Sequence, residues 1–151
     1  MNIESLINKD LIEIGFSAKS KERVLGEISQ LVYKSGRVTN KRCYFEGLME
    51  RERNSTTGFG ESIAIPHAKS KEVVQSTISI IRLKEPVEWK AMDGQPVKLI
   101  IALAIPQQEE GEMHLKILAK LSEQLMEEDF RTALLSANSK SELYTVIKSI
   151  F

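Results

Sequence analysis

Apolar residues recur along this chain in two rhythms, one helical and one strand-like. In residues 21–36, KERVLGEISQLVYKSG, Val24, Leu25, Ile28, Leu31 and Val32 fall at three- and four-residue steps, the spacing of one helix face. Ser20 is placed to start that helix and Gly36 to stop it. Asn40 is placed to cap a second helix, KRCYFEGLMERER, with Tyr44, Phe45, Leu48 and Met49 as its buried stripe. Arg51 and Arg53 fall in its last turn, where the helix dipole favours cations. Residues 54–60, NSTTGFG, are turn formers. SIAIPH (62–67) then reads as a short strand with Ile63 and Ile65 on one face. Pro66 has no N–H to give a ladder, so that strand lies at an edge or ends there.

The pattern then turns to strands. TISIIRL (77–83) is rich in β-branched residues. Residues 86–92 read as an irregular or short strand segment, with Trp89 as a packing residue. Asp93-Gly94 marks a turn, and 97–105 is almost continuously apolar, as suits a central strand covered on both faces. Pro106 breaks it, and 107–111 form a polar loop. A long helix follows from Glu112, with Met113, Leu115, Leu118, Leu121 and Leu125 as its apolar positions. Asp129 is read as the cap of a short helix through FRTALLSA. Ser139 and Glu142 have capping-box spacing and open a last helix carrying Leu143, Val146, Ile147 and Ile150. Helices early, strands in the middle and helices late predict an α/β fold: one domain over residues 1–151, a mixed β-sheet sandwiched between α-helices on both faces.

Charge narrows the function classes. Lys plus Arg is 21 and Asp plus Glu is 21, so the basic excess of a duplex-binding protein is absent and nucleic acid is disfavoured as a partner. The longest apolar run, 99–105, is far below the roughly 20 residues of a membrane helix, which predicts no direct membrane insertion. The first residues lack the basic and apolar regions of a secretory signal. Cys43 is the only cysteine, so no intrachain disulfide forms, as fits a cytoplasmic protein; inside its helix it reads as a small core or boundary residue.

Few residues carry chemistry. His67 follows the IAIP strand, held by a rigid element yet able to meet another molecule; neutral imidazole is a nucleophile near pH 7. The same position suits a histidine satisfied by backbone hydrogen bonds. Arg51 offers a fork for phosphate or carboxylate, or is a solvated cation beside Glu50 and Glu52. Ser55, Thr56, Thr57, Gly58 and Gly60 form either an anion-holding turn or only a turn; they lack P-loop spacing, which excludes that nucleotide site. His114, in the first turn of the long helix, could cap, pack or reach the site of His67. Two histidines and one cysteine without ligand spacing do not make a zinc site, and no nucleophile elbow supports a Ser-His-Asp centre.

The segment STTGFGESIAIPHAKS (55–70) resembles the active-site segment of the enzyme IIA proteins of the bacterial phosphoenolpyruvate–sugar phosphotransferase system. The matching class is the fructose/mannitol type, which includes the nitrogen-related regulators. The family pattern is roughly STGIGNGIAIPHGK; here Phe59 stands where Ile is usual and Glu61-Ser62 where Asn-Gly is usual. ERER around Arg51, MDGQPVKLIIALAIP and HLKILAKLSEQLMEEDFRTALL agree in the same order, across nearly the whole chain.

The resemblance implies that His67 takes a phosphoryl group from the histidine of the carrier HPr. The group would then pass to an enzyme IIB domain, which phosphorylates a sugar as the membrane IIC domain admits it. Arg51 would neutralise phosphoryl oxygens. His114 would hydrogen-bond the phosphoryl group or the imidazole, and Ser55 or Thr57 would add a hydroxyl contact. No metal, nucleotide or other cofactor is implied. The docking surface is expected to be an apolar patch around His67, including Phe59, with a charged rim. Three functions follow: a carrier for sugar uptake, of fructose type by its HLKILAKLSEQL…EEDFRTALL segment; a nitrogen-related regulator whose phosphorylation controls protein binding; or a binding module that has lost transfer. His67, Arg51 and His114 together argue against the last.

Overall fold

A computed structural model describes residues 3–108 and 113–151. Its helices are α1 (Ile3–Leu6), α2 (Lys21–Lys34), α3 (Lys41–Asn54), α4 (Met113–Leu125), α5 (Glu128–Ser136) and α6 (Lys140–Lys148). Its strands are β1 (Ile12–Phe16), β2 (Gly58–Gly60), β3 (Ile63–Ala64), β4 (His67–Ser70), β5 (Thr77–Val87) and β6 (Val97–Pro106). The sheet order is β1-β5-β6-β3-β2, with β4 also paired to β6. It is mixed: β5 and β6 are antiparallel, while β3 and β4 run parallel to β6.

Local signals placed the helices well. Ser20, Asn40 and Ser139 each accept a backbone N–H with the side-chain oxygen, from Arg23, Cys43 and Glu142. Gly36, at φ +72°, ends α2. Arg37 N–H reaches back to Val32 O and Gly36 N–H to Tyr33 O, the paired bonds of a left-handed helix cap. Glu142 completes its side of the cap through Asn138 N–H at 2.6 Å rather than through Ser139.

Several expectations are corrected. α5 is preceded by Glu127, whose side chain makes no capping bond, and Asp129 lies inside the first turn. Cys43 is exposed, because the buried face of α3 is set by Tyr44 and Leu48. On α4 the core face is Ile117, Leu121 and Leu125, a strict four-residue step, and Leu115 is left 51% exposed. β5 runs on through Pro86, and β6 includes Pro106. The start of the last long helix at Glu112 and part of the 107–111 loop lie outside the described residues.

β1 had no strong signal, since Gly15 and Glu13 interrupt a five-residue stretch; it is stabilised by parallel pairing to β5. β6 is the axis of the sheet. Leu99 to Ile105 are all at most 2% exposed, as full coverage requires. α2 and α3 pack on each other and on β5 and β4, while α5 and α6 reach β6 and β1. The apolar β5 also buries Arg82, whose Nη1 donates to Leu135 O at 2.6 Å and so satisfies the end of α5.

The segment that carries His67 is one strand interrupted once. Ile63 lies beside Leu99 and Ala64 beside Ile100; His67 then lies beside Leu103 and Ala68 beside Ala104. The register is therefore unbroken across Ile65 and Pro66. Pro66 has no N–H, yet its carbonyl accepts from Leu103 N–H at 3.0 Å, so the chain stays in line. His67 opens β4 rather than closing a single strand.

β2 and β3 form a hairpin in which Gly60 faces Ile63, so Glu61 and Ser62 are its two turn residues. Both lie at positive φ, +57° and +69°, the conformation for which Asn-Gly is the favoured pair. Asp93 compensates in part, its Oδ2 accepting from Glu61 N–H at 2.9 Å. A non-glycine residue pays about 1–2 kcal/mol in this region. Ser62→Gly is therefore expected to raise stability by about 0.5–1 kcal/mol after the added unfolded-state entropy is counted. Urea unfolding measures it, and an unchanged or lower midpoint would contradict the strain.

Candidate phosphoryl-transfer site

Two elements meet at His67. Gly47 on α3 faces Ala68 on β4, and a Cβ at Gly47 would lie only 3.2 Å from that of Ala68. These small residues let the helix come close to the strand. Arg51 is one turn further along the same face of α3, which brings its guanidinium to the Nε2 edge of the imidazole. Tyr44, one turn before Leu48, ties the helix to the sheet: its hydroxyl donates to Leu103 O at 3.0 Å, on the residue that pairs with His67.

The hydrogen bonds decide the tautomer. His67 Nδ1 lies 3.0 Å from Ile65 O. A carbonyl only accepts, so Nδ1 carries the proton. Arg51 Nε lies 3.3 Å from His67 Nε2. A guanidinium only donates, so Nε2 presents its lone pair. Arg51 Nη1 is held in turn by Ser55, through its carbonyl at 2.8 Å and its hydroxyl at 3.2 Å. The turn after α3 thus fixes the arginine that addresses the histidine.

Burial lowers the His67 pKa, and the Arg51 guanidinium and His114 push it the same way; the Ile65 carbonyl and Glu52 oppose them. The folded protein therefore favours the neutral imidazole, the form with a free electron pair. His67, Arg51 and His114 line one groove of about 470 Å³ together with Asn54, Lys69, Leu115 and Leu118. Among the described residues, no three His, Cys, Asp or Glu side chains converge to hold a metal.

Other expected site residues are placed differently. Ser55 reaches the site only through Arg51. Thr57 is 4% exposed, and its hydroxyl is engaged elsewhere: it donates to Glu52 Oε1 and accepts from Trp89 Nε1 at 3.2 Å. Its hydroxyl is not brought to His67. Phe59 packs half-buried against the core and does not line the groove. Leu115 and Lys69, which the residue pattern did not single out, do line it. Leu115 departs from the four-residue core step of α4, which is the one sequence signal that could have marked it.

Residues 5–150 match the family model described as phosphoenolpyruvate-dependent sugar phosphotransferase system, EIIA 2. The chain belongs to this family. EIIA proteins of this family are phosphoryl-transfer carriers. The chain is 36% identical over 147 residues to the fructose-specific EIIABC component of Bacillus subtilis, covering 97% of this chain but only 23% of that protein. It is 36% identical over 149 residues to the fructose-specific EIIA component of Haloferax volcanii, covering 99% of this chain and 96% of that one. The solved nitrogen regulatory protein IIA-Ntr of Neisseria meningitidis superposes with a TM-score of 0.88 at 31% identity, covering 96% and 98% of the two chains. Among the described residues of this EIIA protein, no helix is long and apolar enough to cross a membrane.

A depressed folded-state pKa on a base means that the fold disfavours the proton. The neutral form, with the stability tied to it, is present above the ordinary value and is lost as pH falls through the folded value. NMR titration of the His67 ring in this EIIA protein is therefore expected to give a midpoint below the ordinary 6.5. A midpoint at or above that value would contradict the electrostatics of the site.

Proposed function

We propose that this chain accepts a phosphoryl group on His67 Nε2 from the phosphohistidine of HPr and passes it to an enzyme IIB domain, for coupled uptake and phosphorylation of a sugar of the fructose class. The observation that carries the reading is the pair of hydrogen bonds on His67: the proton sits on Nδ1 against Ile65 O, and the lone pair of Nε2 faces Arg51. Nε2 is then the nucleophile. Its electron pair forms the new N–P bond as the donor N–P bond breaks, and the donor imidazole leaves with the electrons of the broken bond. The proton stays on Nδ1, where the Ile65 carbonyl stabilises the positive character of the phosphorylated ring.

Attack requires Arg51 to release Nε2. The bond between them is long at 3.3 Å, and Ser55 holds the guanidinium at Nη1, so a small rotation moves Nε from the ring to the incoming phosphoryl oxygens. Positive charge at that point stabilises the transferring group, and no covalent step falls to another side chain. His114, which lines the same groove, supplies a second donor to those oxygens. Leu115, exposed at the rim, and Lys69 beside it give an apolar and cationic margin on which a carrier protein carrying a phosphoryl group would dock.

Both fructose-specific relatives favour transport, and the Bacillus relative is by name an EIIABC component. The second reading, a regulator whose phosphorylation state controls protein binding, is favoured by the close superposition on the Neisseria nitrogen regulatory protein. Both readings place the protein in the cytoplasm and share the first transfer. They separate at the second: a carrier for uptake gives its phosphoryl group to a fructose-type IIB domain, whereas a regulator retains it and changes its protein partners.

Phosphorylation by phosphoenolpyruvate, enzyme I and HPr, followed by intact mass and site mapping, is expected to show one acid-labile phosphoryl group on His67. His67→Ala should abolish acceptance with the fold intact by circular dichroism; labelling at the wild-type level would sink the assignment. Loss of one charge-stabilising donor typically costs roughly 2–4 kcal/mol. Arg51→Ala should therefore slow single-turnover transfer by about one and a half to three orders of magnitude, and an unchanged rate would remove Arg51 from the transfer step.

A further inference from the structure

Glu52 follows Arg51 on α3, so its side chain points about 100° around the helix and away from the groove. It is nevertheless buried, 5% exposed at the side chain, and it is well partnered. Oε2 accepts from Lys21 Nζ at 2.9 Å and from Thr57 N–H at 3.3 Å, while Oε1 accepts from the Thr57 hydroxyl. Trp89, fully buried, can only donate, and it donates to Thr57 Oγ1. The Thr57 hydroxyl therefore has one orientation: its proton goes to Glu52 and its lone pair to the indole. Lys21 also lies over the Trp89 ring, 5.4 Å from its centroid.

The next links lead back to the groove. The Thr57 carbonyl accepts from Ile65 N–H at 3.0 Å, and the Ile65 carbonyl accepts from His67 Nδ1 at 3.0 Å. Ile65 lies in the gap between β3 and β4, where Pro66 has no N–H to anchor the chain to β6. Its N–H is held from the other side by the Thr57 carbonyl, and its own carbonyl, on the next peptide, follows through the φ and ψ of Ile65. A burial cost is accepted at Glu52 that a mere turn would not demand, and the residue it holds is the one that aims the Ile65 carbonyl.

We infer that Glu52 and Thr57 are positioning residues that set the tautomer of His67, through the hydrogen bonds Glu52–Thr57, Thr57–Ile65 and Ile65–His67 joined by the backbone of Thr57 and Ile65. They touch neither phosphoryl donor nor imidazole. They hold the acceptor that keeps the proton on Nδ1 and so leaves Nε2 open. A ring released from that acceptor shifts toward the Nε2–H form, which blocks the attacking nitrogen, because the tautomer of a histidine follows the hydrogen bond its other nitrogen makes. The consequence for transfer rests on His67 being the phosphoacceptor; the tautomer itself does not.

The test is two-bond proton–nitrogen NMR of the His67 ring in the unphosphorylated full chain, with circular dichroism and thermal unfolding to establish the fold of each variant. The wild type is expected in the Nδ1–H form. Glu52→Gln and Thr57→Val, both close in shape to the native residues, should each lower the ratio of Nδ1–H to Nε2–H by about three- to tenfold, the scale of one hydrogen bond. They should lower the rate of phosphoryl acceptance in proportion. Thr57→Ser, which keeps the hydroxyl, should restore most of both. A wild-type ring protonated on Nε2, or a folded variant of either kind with the wild-type ratio, overturns the inference. A purely structural role for Glu52 would change the unfolding temperature and leave the ratio unmoved. If the wild type accepts no phosphoryl group from HPr, the carrier reading fails, and the tautomer ratio still decides the role of Glu52 and Thr57.

Discussion

The pairing of residues 63–70 along β6 is the constraint from which the site follows. β6 is buried on both faces and flanked by β5 on one side. It therefore offers a ladder whose register cannot slip without moving every apolar side chain to the wrong face. The neighbouring chain keeps that register through a proline, because Pro66 still supplies a carbonyl to Leu103 N–H. Ile65 keeps its N–H on the Thr57 carbonyl, while its own carbonyl is left outside the β6 pairing. Its carbonyl turns instead to His67, and a backbone defect becomes the device that orients the imidazole.

Close packing does the rest. Gly47 against Ala68 brings α3 within reach of β4, and Tyr44 holds the helix to Leu103. Arg51 is consequently aimed at Nε2 by the position of the helix and by Ser55, which holds its Nη1. A cation beside a neutral base is an arrangement that waits for an anion. It holds the histidine unprotonated and leaves the guanidinium without a carboxylate partner at this point of the groove, among the described residues.

Three charged side chains away from the groove obey the same rule that buried charge must be hydrogen-bonded. Arg82 closes the end of α5, and Arg37 donates to Ser5 O at 2.7 Å and Thr77 Oγ1 at 3.1 Å. Glu52 gathers Lys21 and Thr57. The first two fasten helices α5 and α1 to the sheet. Glu52 lies on the only one of these networks that continues by hydrogen bonds to His67.

Local rules were enough for much of this protein. Ser20, Asn40, Gly36 and Ser139 mark helix ends because caps and left-handed stops depend on a few adjacent residues. Leu99 to Ile105 declares a central strand because full burial leaves an unbroken apolar run. The IAIPH segment and Arg51, read with the rest of the chain, pointed to a family and to a histidine. What depends on distant partners was not readable in the same way. β1 is a strand only because β5 lies beside it. Leu115 faces a groove and Cys43 faces solvent because helix phase is set by what each helix packs on. Thr57 has the same hydroxyl whether it points to a phosphoryl group or to Glu52 and Trp89. The chain itself determined which residues could do the chemistry. Only the tertiary structure decided which nitrogen of His67 is open, since that rests on one carbonyl and one guanidinium brought together from two elements and held there by the register of β6.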